Sequence, residues 1–83
     1  MNAATETSFE TYFLTLNATF ATEHDSTLRD SRASSETLMG LHDEALFHAN
    51  TATDCGAHIA AASWRKLAIT IRYMAEARCE VKS

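Results

Sequence analysis

The stretch AHIAAASWRKLAITIRYMAEARCEV, residues 57–81, decides the fold. It contains no Gly and no Pro, and its apolar residues recur at alternating steps of four and three. Ala60, Trp64, Leu67, Ile71, Met74 and Val81 fall on one seam, interrupted only by Arg78. That spacing makes one helix face apolar, as lengthwise packing on another helix requires. The seam predicts an all-α protein with a long stripe to bury.

Upstream, residues 35–53 carry a matching face of Leu38, Leu41, Ala45, Leu46, Ala49 and Ala52. Ser34 or Ser35 can cap its start, and Glu36 suits the positive end of the helix dipole. Asp54-Cys55-Gly56 breaks the pattern, and Gly56 fits the left-handed residue that ends a helix. A connection this short predicts an antiparallel helical hairpin over residues 35–81.

Further upstream, Phe9, Tyr12, Phe13, Leu16 and Phe20 follow i, i+3, i+4, i+7, i+11, which predicts an N-terminal helix over residues 8–21. Thr7 and Glu10 have capping-box spacing. Tyr12, Leu14, Leu16, Ala18 and Phe20 also alternate with period two, the mark of a strand. A lone strand has no ladder partner within the chain, so the strand reading requires a second copy. Helix is preferred, with the intermolecular strand as the alternative. Residues 1–7 read as a flexible tail. Residues 22–34 read as a polar linker with a short turn at Leu28. The expected architecture is a single helical domain over residues 8–83, either a three-helix bundle or a dimeric helical bundle.

The chain has 83 residues and a net charge of −4, from 7 basic and 11 acidic side chains. Its hydrophobic fraction of 46% argues against global disorder, but much of it is Ala, so the core is thin and a second copy would add burial. No basic run exists, which disfavours nucleic acid as a partner. Residues 1–8 lack the apolar segment of a secretory signal, and no stretch approaches the ~20 apolar residues of a membrane span. Asn17-Ala18-Thr19 matches a glycosylation acceptor, yet nothing else suggests secretion. Cys55 at the turn and Cys79 far along the last helix would lie roughly 30 Å apart, far beyond the ~7 Å limit for a disulfide. Two free thiols fit a reducing, cytoplasmic compartment.

Candidate chemistry is sparse. His42 falls within the apolar face of the second helix, between Leu38, Ala45 and Ala49, either as a ligand-binding or proton-exchanging group or as a core histidine satisfied by a carbonyl or water. His48, Cys55 and His58 have residue types that zinc favours, but they form only one loose pair where zinc sites need two. Cys55 with His58 is also the only local nucleophile–base pair, and no Gly-rich oxyanion or phosphate loop accompanies it. Asp43 and Glu44 are adjacent, so they point in different directions from a helix. The expectation is a non-enzymatic chain without cofactor or metal.

A second apolar surface is left over. Phe47 falls opposite the centre of the second helix's face. Ala62, Ile69 and Tyr73 lie opposite Leu67, flanked by Lys66, Arg72 and Glu76. Phe47, Ile69 and Tyr73 are therefore the expected anchors of a self-association or partner interface.

Ser34-Ser35-Glu36-Thr37-Leu38, continuing through Asp43-Glu44-Ala45-Leu46 to Ala49, resembles the opening helix of a group of short bacterial helical-hairpin proteins without assigned activity. Ala68-Ile69-Thr70-Ile71 with Tyr73-Met74-Ala75 resembles their second helix. The resemblance covers residues 34–83 and implies a fold, with no catalytic positions. The function expected from all of this is a small adaptor or inhibitor, acting as a dimer and binding a protein partner. The alternatives are a ribbon-helix-helix DNA binder, with residues 9–20 as the ribbon, and a small-ligand or metal-binding helical protein built on His42, His48, Cys55 and His58.

Overall fold

The connection between the two long helices is where local chemistry is most tightly determined. Helix α3 (Ser35–Asp54) ends at Cys55, and Gly56 adopts φ = 81°, the left-handed region where a Cβ is strained. The Gly56 N–H donates to the Thr53 carbonyl at 3.0 Å, and the Ala57 N–H to the Ala52 carbonyl at 2.8 Å. These two bonds make a Schellman motif, and buried Ala52 and Ala57 supply its apolar contact. Helix α4 (His58–Lys82) starts at the next residue.

The computed structural model describes the backbone of residues 3–82 and the side chains of residues 9–79. In chain order the elements are α1 (Ala3–Glu23), α2 (Asp25–Arg29), α3 and α4. All are helical, and no strand occurs among the described residues, so residues 9–20 are helix and not ribbon. Burial on a tertiary partner selects the 3.6-residue period: Phe13 and Phe20 are buried and Leu16 is half-buried, whereas Phe9, Tyr12 and Leu14 stay exposed.

Helix α1 is longer than expected, taking in residues 3–7; Met1 and Asn2 lie outside the described residues. The Thr7–Glu10 capping box is not the start of α1, because the helix is already running there and Glu10 is engaged on α4. The expected linker also folds further than its composition suggested. After a break at His24 (φ −104°, ψ 8°), α2 forms around an Asp25–Arg29 ion pair of 2.8 Å, and Leu28 packs on the core. Helix α3 opens as expected: the Ser34 Oγ accepts from the Thr37 N–H at 3.0 Å.

Helices α3 and α4 share the main core. On α3 it is built from Leu38, Leu41, Ala45 and Ala49, and on α4 from Trp64, Ala68, Ile71 and Ala75, with Phe20 of α1 added. Leu46, expected on the α3 face, is instead exposed. The α4 seam also differs from expectation. Ala60, Trp64 and Ile71 are buried as expected, but the buried line runs Ala57, Ala61, Trp64, Ala68, Ile71 and Ala75, again at steps of four and three, while Leu67 and Met74 are half-buried at its margin. The side chain of Val81 lies outside the described residues. The reason is size. Alanines on both helices permit close backbone approach, and the larger side chains then flank the contact. Arg78, the apparent interruption, continues the seam by donating from Nη1 to the Ala33 carbonyl at 2.9 Å. Near the connection Arg65 donates to Thr53 Oγ1 at 2.7 Å. The Cα trace measures 52 × 19 × 13 Å, so each long helix keeps an outward face.

Candidate functional site

Helix α1 positions the polar chemistry. Ala57 serves both as the last residue of the Schellman motif and as the residue preceding α4, and an alanine cannot cap a helix. Glu10 supplies the cap from 50 residues away. Its Oε1 accepts from the Ala60 N–H at 2.9 Å and its Oε2 from the Ile59 N–H at 3.2 Å. The carboxylate thereby satisfies two orphan donors and meets the positive end of the α4 dipole. One turn further along α1, the Phe13 carbonyl accepts from Trp64 Nε1 at 3.0 Å, which permits the indole to be fully buried.

Around Trp64 lies an aromatic cluster. Phe20 meets Trp64 edge-on at 5.3 Å between ring centroids, His24 meets Phe20 at 4.5 Å with the rings tilted by 56°, and His48 lies over Trp64 at 4.6 Å. Phe20, His48 and Trp64 floor a cleft of about 250 Å³ between α1 and α3, rimmed by Glu23 and Glu44. Asn17 Nδ2, on the same helix face, is buried without a hydrogen-bond partner, so the Asn17-Ala18-Thr19 sequon is not presented as an accessible acceptor.

The structure scatters the histidine and cysteine candidates. His48 is held by Trp64 and by Phe47, Cys55 packs on the small alanine cluster, and His58 is exposed. Among the described residues no group of three or more His, Cys, Asp or Glu converges, so His48, Cys55 and His58 do not assemble the metal site considered from the sequence. Cys55 and Cys79 are not bridged. The His42 side chain is largely buried, 15% exposed, beside the α3 core face. Its Nδ1 lies 2.9 Å from Asp43 Oδ1, so the partner the structure gives it is a carboxylate.

A hollow of about 380 Å³ opens beside the start of α3, lined by Ser31, Arg32, Ser34 and Arg78. Its cations are committed: Arg78 to Ala33, and Arg32 to Asp30, whose Oδ1 accepts from the Arg32 backbone N–H at 2.9 Å and from its Nε at 3.2 Å. The backbone bond first, and the guanidinium second, hold the Asp30 carboxyl below its usual range.

The three expected anchors are all exposed: Phe47 by 64%, Ile69 by 53% and Tyr73 by 68%. Helix α1 covers none of them. Ile69 and Tyr73 come together with Arg72 and Glu76 around a shallow groove of about 320 Å³ on α4. Phe47 does not line it. Sequence reasoning missed Ile59, also 68% exposed, which extends the same α4 face. The signal was available: Ile59, Ala62, Lys66, Ile69, Tyr73 and Glu76 keep steps of three and four, a second stripe roughly 160° around the helix from the buried one.

No helix among the described residues is long and apolar enough to cross a membrane. No protein-family model, curated protein or solved structure matches this chain.

Proposed function

We propose that this chain is a small non-enzymatic interaction module, an adaptor or inhibitor. Its scaffold is an antiparallel hairpin of α3 and α4 braced by α1, and its contact surface is the outward face of α4. The observation that carries the reading is the exposure of Ile59, Ile69 and Tyr73 on one stripe of a helix whose opposite face is fully buried. A thin core leaves few large apolar side chains, and several of them open to water on one helix face mark a contact surface. Tyr73 is an apt anchor, since its ring brings apolar area and its hydroxyl tolerates water at a rim.

The test compares the full chain with an Ile69→Ser/Tyr73→Ser variant in cross-linking on host-cell extract. A specific adduct, with self or another protein, that disappears in the variant supports the reading. An adduct formed equally by both proteins refutes it, and so does no adduct with either. Circular dichroism separates lost contact from lost fold, because both substitutions replace exposed side chains and helicity should persist.

A further inference from the structure

The outward stripe of α4 is self-complementary when reversed. It runs Lys66, Ile69, Tyr73, Glu76, with spacings of three, four and three. Read backwards, the spacing is unchanged while the charges exchange ends. A helix face with this property matches a second copy of itself laid antiparallel. From this we infer that the occupant of the α4 face is a second copy of this chain, docked antiparallel about a two-fold axis level with Ile71; the inference rests on the interaction reading above.

In this register Ile69 of one copy meets Tyr73 of the other, and each contact occurs twice, as an isologous interface requires. Lys66 meets Glu76 of the second copy at both ends of the apolar centre. Lys66 makes no ion pair among the described residues, so its charge is available. Glu76 accepts from Arg72 Nε at 3.1 Å through Oε2, which leaves its other oxygen for a second cation. Arg72 lies one residue from the axis, so the two Arg72 side chains flank it on one side, and each is neutralised by its own Glu76. The axis also lies within about one residue of the midpoint of His58–Lys82, so the two α4 helices overlap along almost their whole length. A parallel pairing would set Lys66 on Lys66 and Glu76 on Glu76, which disfavours it.

The experiment is sedimentation equilibrium on the full chain and on K66E, E76K and the K66E/E76K double variant. The wild type should dimerise. Each single variant places like charges opposite each other twice, and its dissociation constant should rise at least ~10-fold, while the double variant should return to within ~3-fold of wild type. Loss of salt dependence in the singles should accompany their weakening. Three results would overturn the inference: a wild type monomeric up to ~1 mM, single variants that dimerise as wild type, or a double variant that fails to recover. A monomeric wild type that still forms a Tyr73-dependent adduct with another protein would sink the second copy as occupant and leave the interaction reading standing. Both side chains are exposed, and Lys66 has no ion pair among the described residues to lose, so K66E carries the test even if E76K is destabilised through Arg72.

Discussion

Replacing Glu10 by Ala should destabilise the whole domain although Glu10 is neither hydrophobic nor fully buried. The carboxylate receives two backbone N–H groups of α4, at 2.9 and 3.2 Å, one of the bonds part-buried and the other exposed. Removing a helix cap costs ~1 kcal/mol, up to ~2, and a hydrogen bond to a charged group contributes ~1.5–3 kcal/mol. The exposed bond is discounted, because water replaces the lost acceptor there. The expected cost is about 1–2 kcal/mol, which in a domain this small lowers Tm by roughly 4–16 °C. Glu10→Gln keeps one good acceptor and the packing of the stem but loses the charge, so it should fall between wild type and Glu10→Ala. Thermal unfolding followed at 222 nm measures both. An unchanged Tm in Glu10→Ala would refute the capping argument. A drop of equal size in both variants would locate the effect in the charge alone. The tether also makes a topological claim: with α1 detached from α4, Trp64 should become more exposed, visible as a red shift of its emission.

Other expected outcomes follow from particular contacts. Ile71→Ala should cost about 2–5 kcal/mol in urea unfolding, and Leu67→Ala distinctly less, because Ile71 is fully buried and Leu67 only half so. Ala68→Leu should cost ~1–3 kcal/mol by overpacking the seam, whereas Ala62→Leu on the outward face should be near neutral for folding. Asn17→Leu should raise Tm, since it removes a buried amide nitrogen that has no partner; a lower Tm would show that the amide is satisfied in solution. Asp30 has its carboxyl held below the usual range, so its stabilisation of the α2–α3 loop is present above the unfolded value and is lost as pH falls through the folded one. Hydrogen exchange of the Arg32 amide should therefore speed up with acidification beyond intrinsic chemistry, and Asp30→Asn should abolish that extra dependence.

The legible and illegible parts of this fold divide by sequence distance. Gly56 and Ser34 act on neighbours within a few residues, and both were readable as a helix stop and a helix start. The α3 face was readable because its period is plain. The α4 seam was misplaced by one flank, because Leu67 and Met74 stand out in a hydrophobicity pattern and Ala61, Ala68 and Ala75 do not. A pattern weighted by apolar size favours the margins of a seam built on close approach. The link from Glu10 to α4 and the stacking of His48 on Trp64 were not readable, since nothing local distinguishes a carboxylate that caps a distant helix from one that faces water.

The two stripes of α4 explain each other. A seam of alanines brings α3 close but buries little area per residue, so α3 and α4 alone hold a modest core. Helix α1 enlarges it by setting Phe13 and Phe20 against one side of that contact and by capping α4 through Glu10. Both effects act on the side of α4 nearest α1, and neither reaches Ile69 or Tyr73. The outward stripe is thus independent of the fold's own stabilisation, and its substitution should separate contact from folding. Tyr73→Ser should leave Tm unchanged when measured at a concentration low enough to hold the chain monomeric. At high concentration the wild type should gain Tm, by mass action on the associated state, and Tyr73→Ser should not. A Tyr73→Ser variant that melts lower than wild type even in dilute solution would show that the stripe belongs to the core and not to a partner.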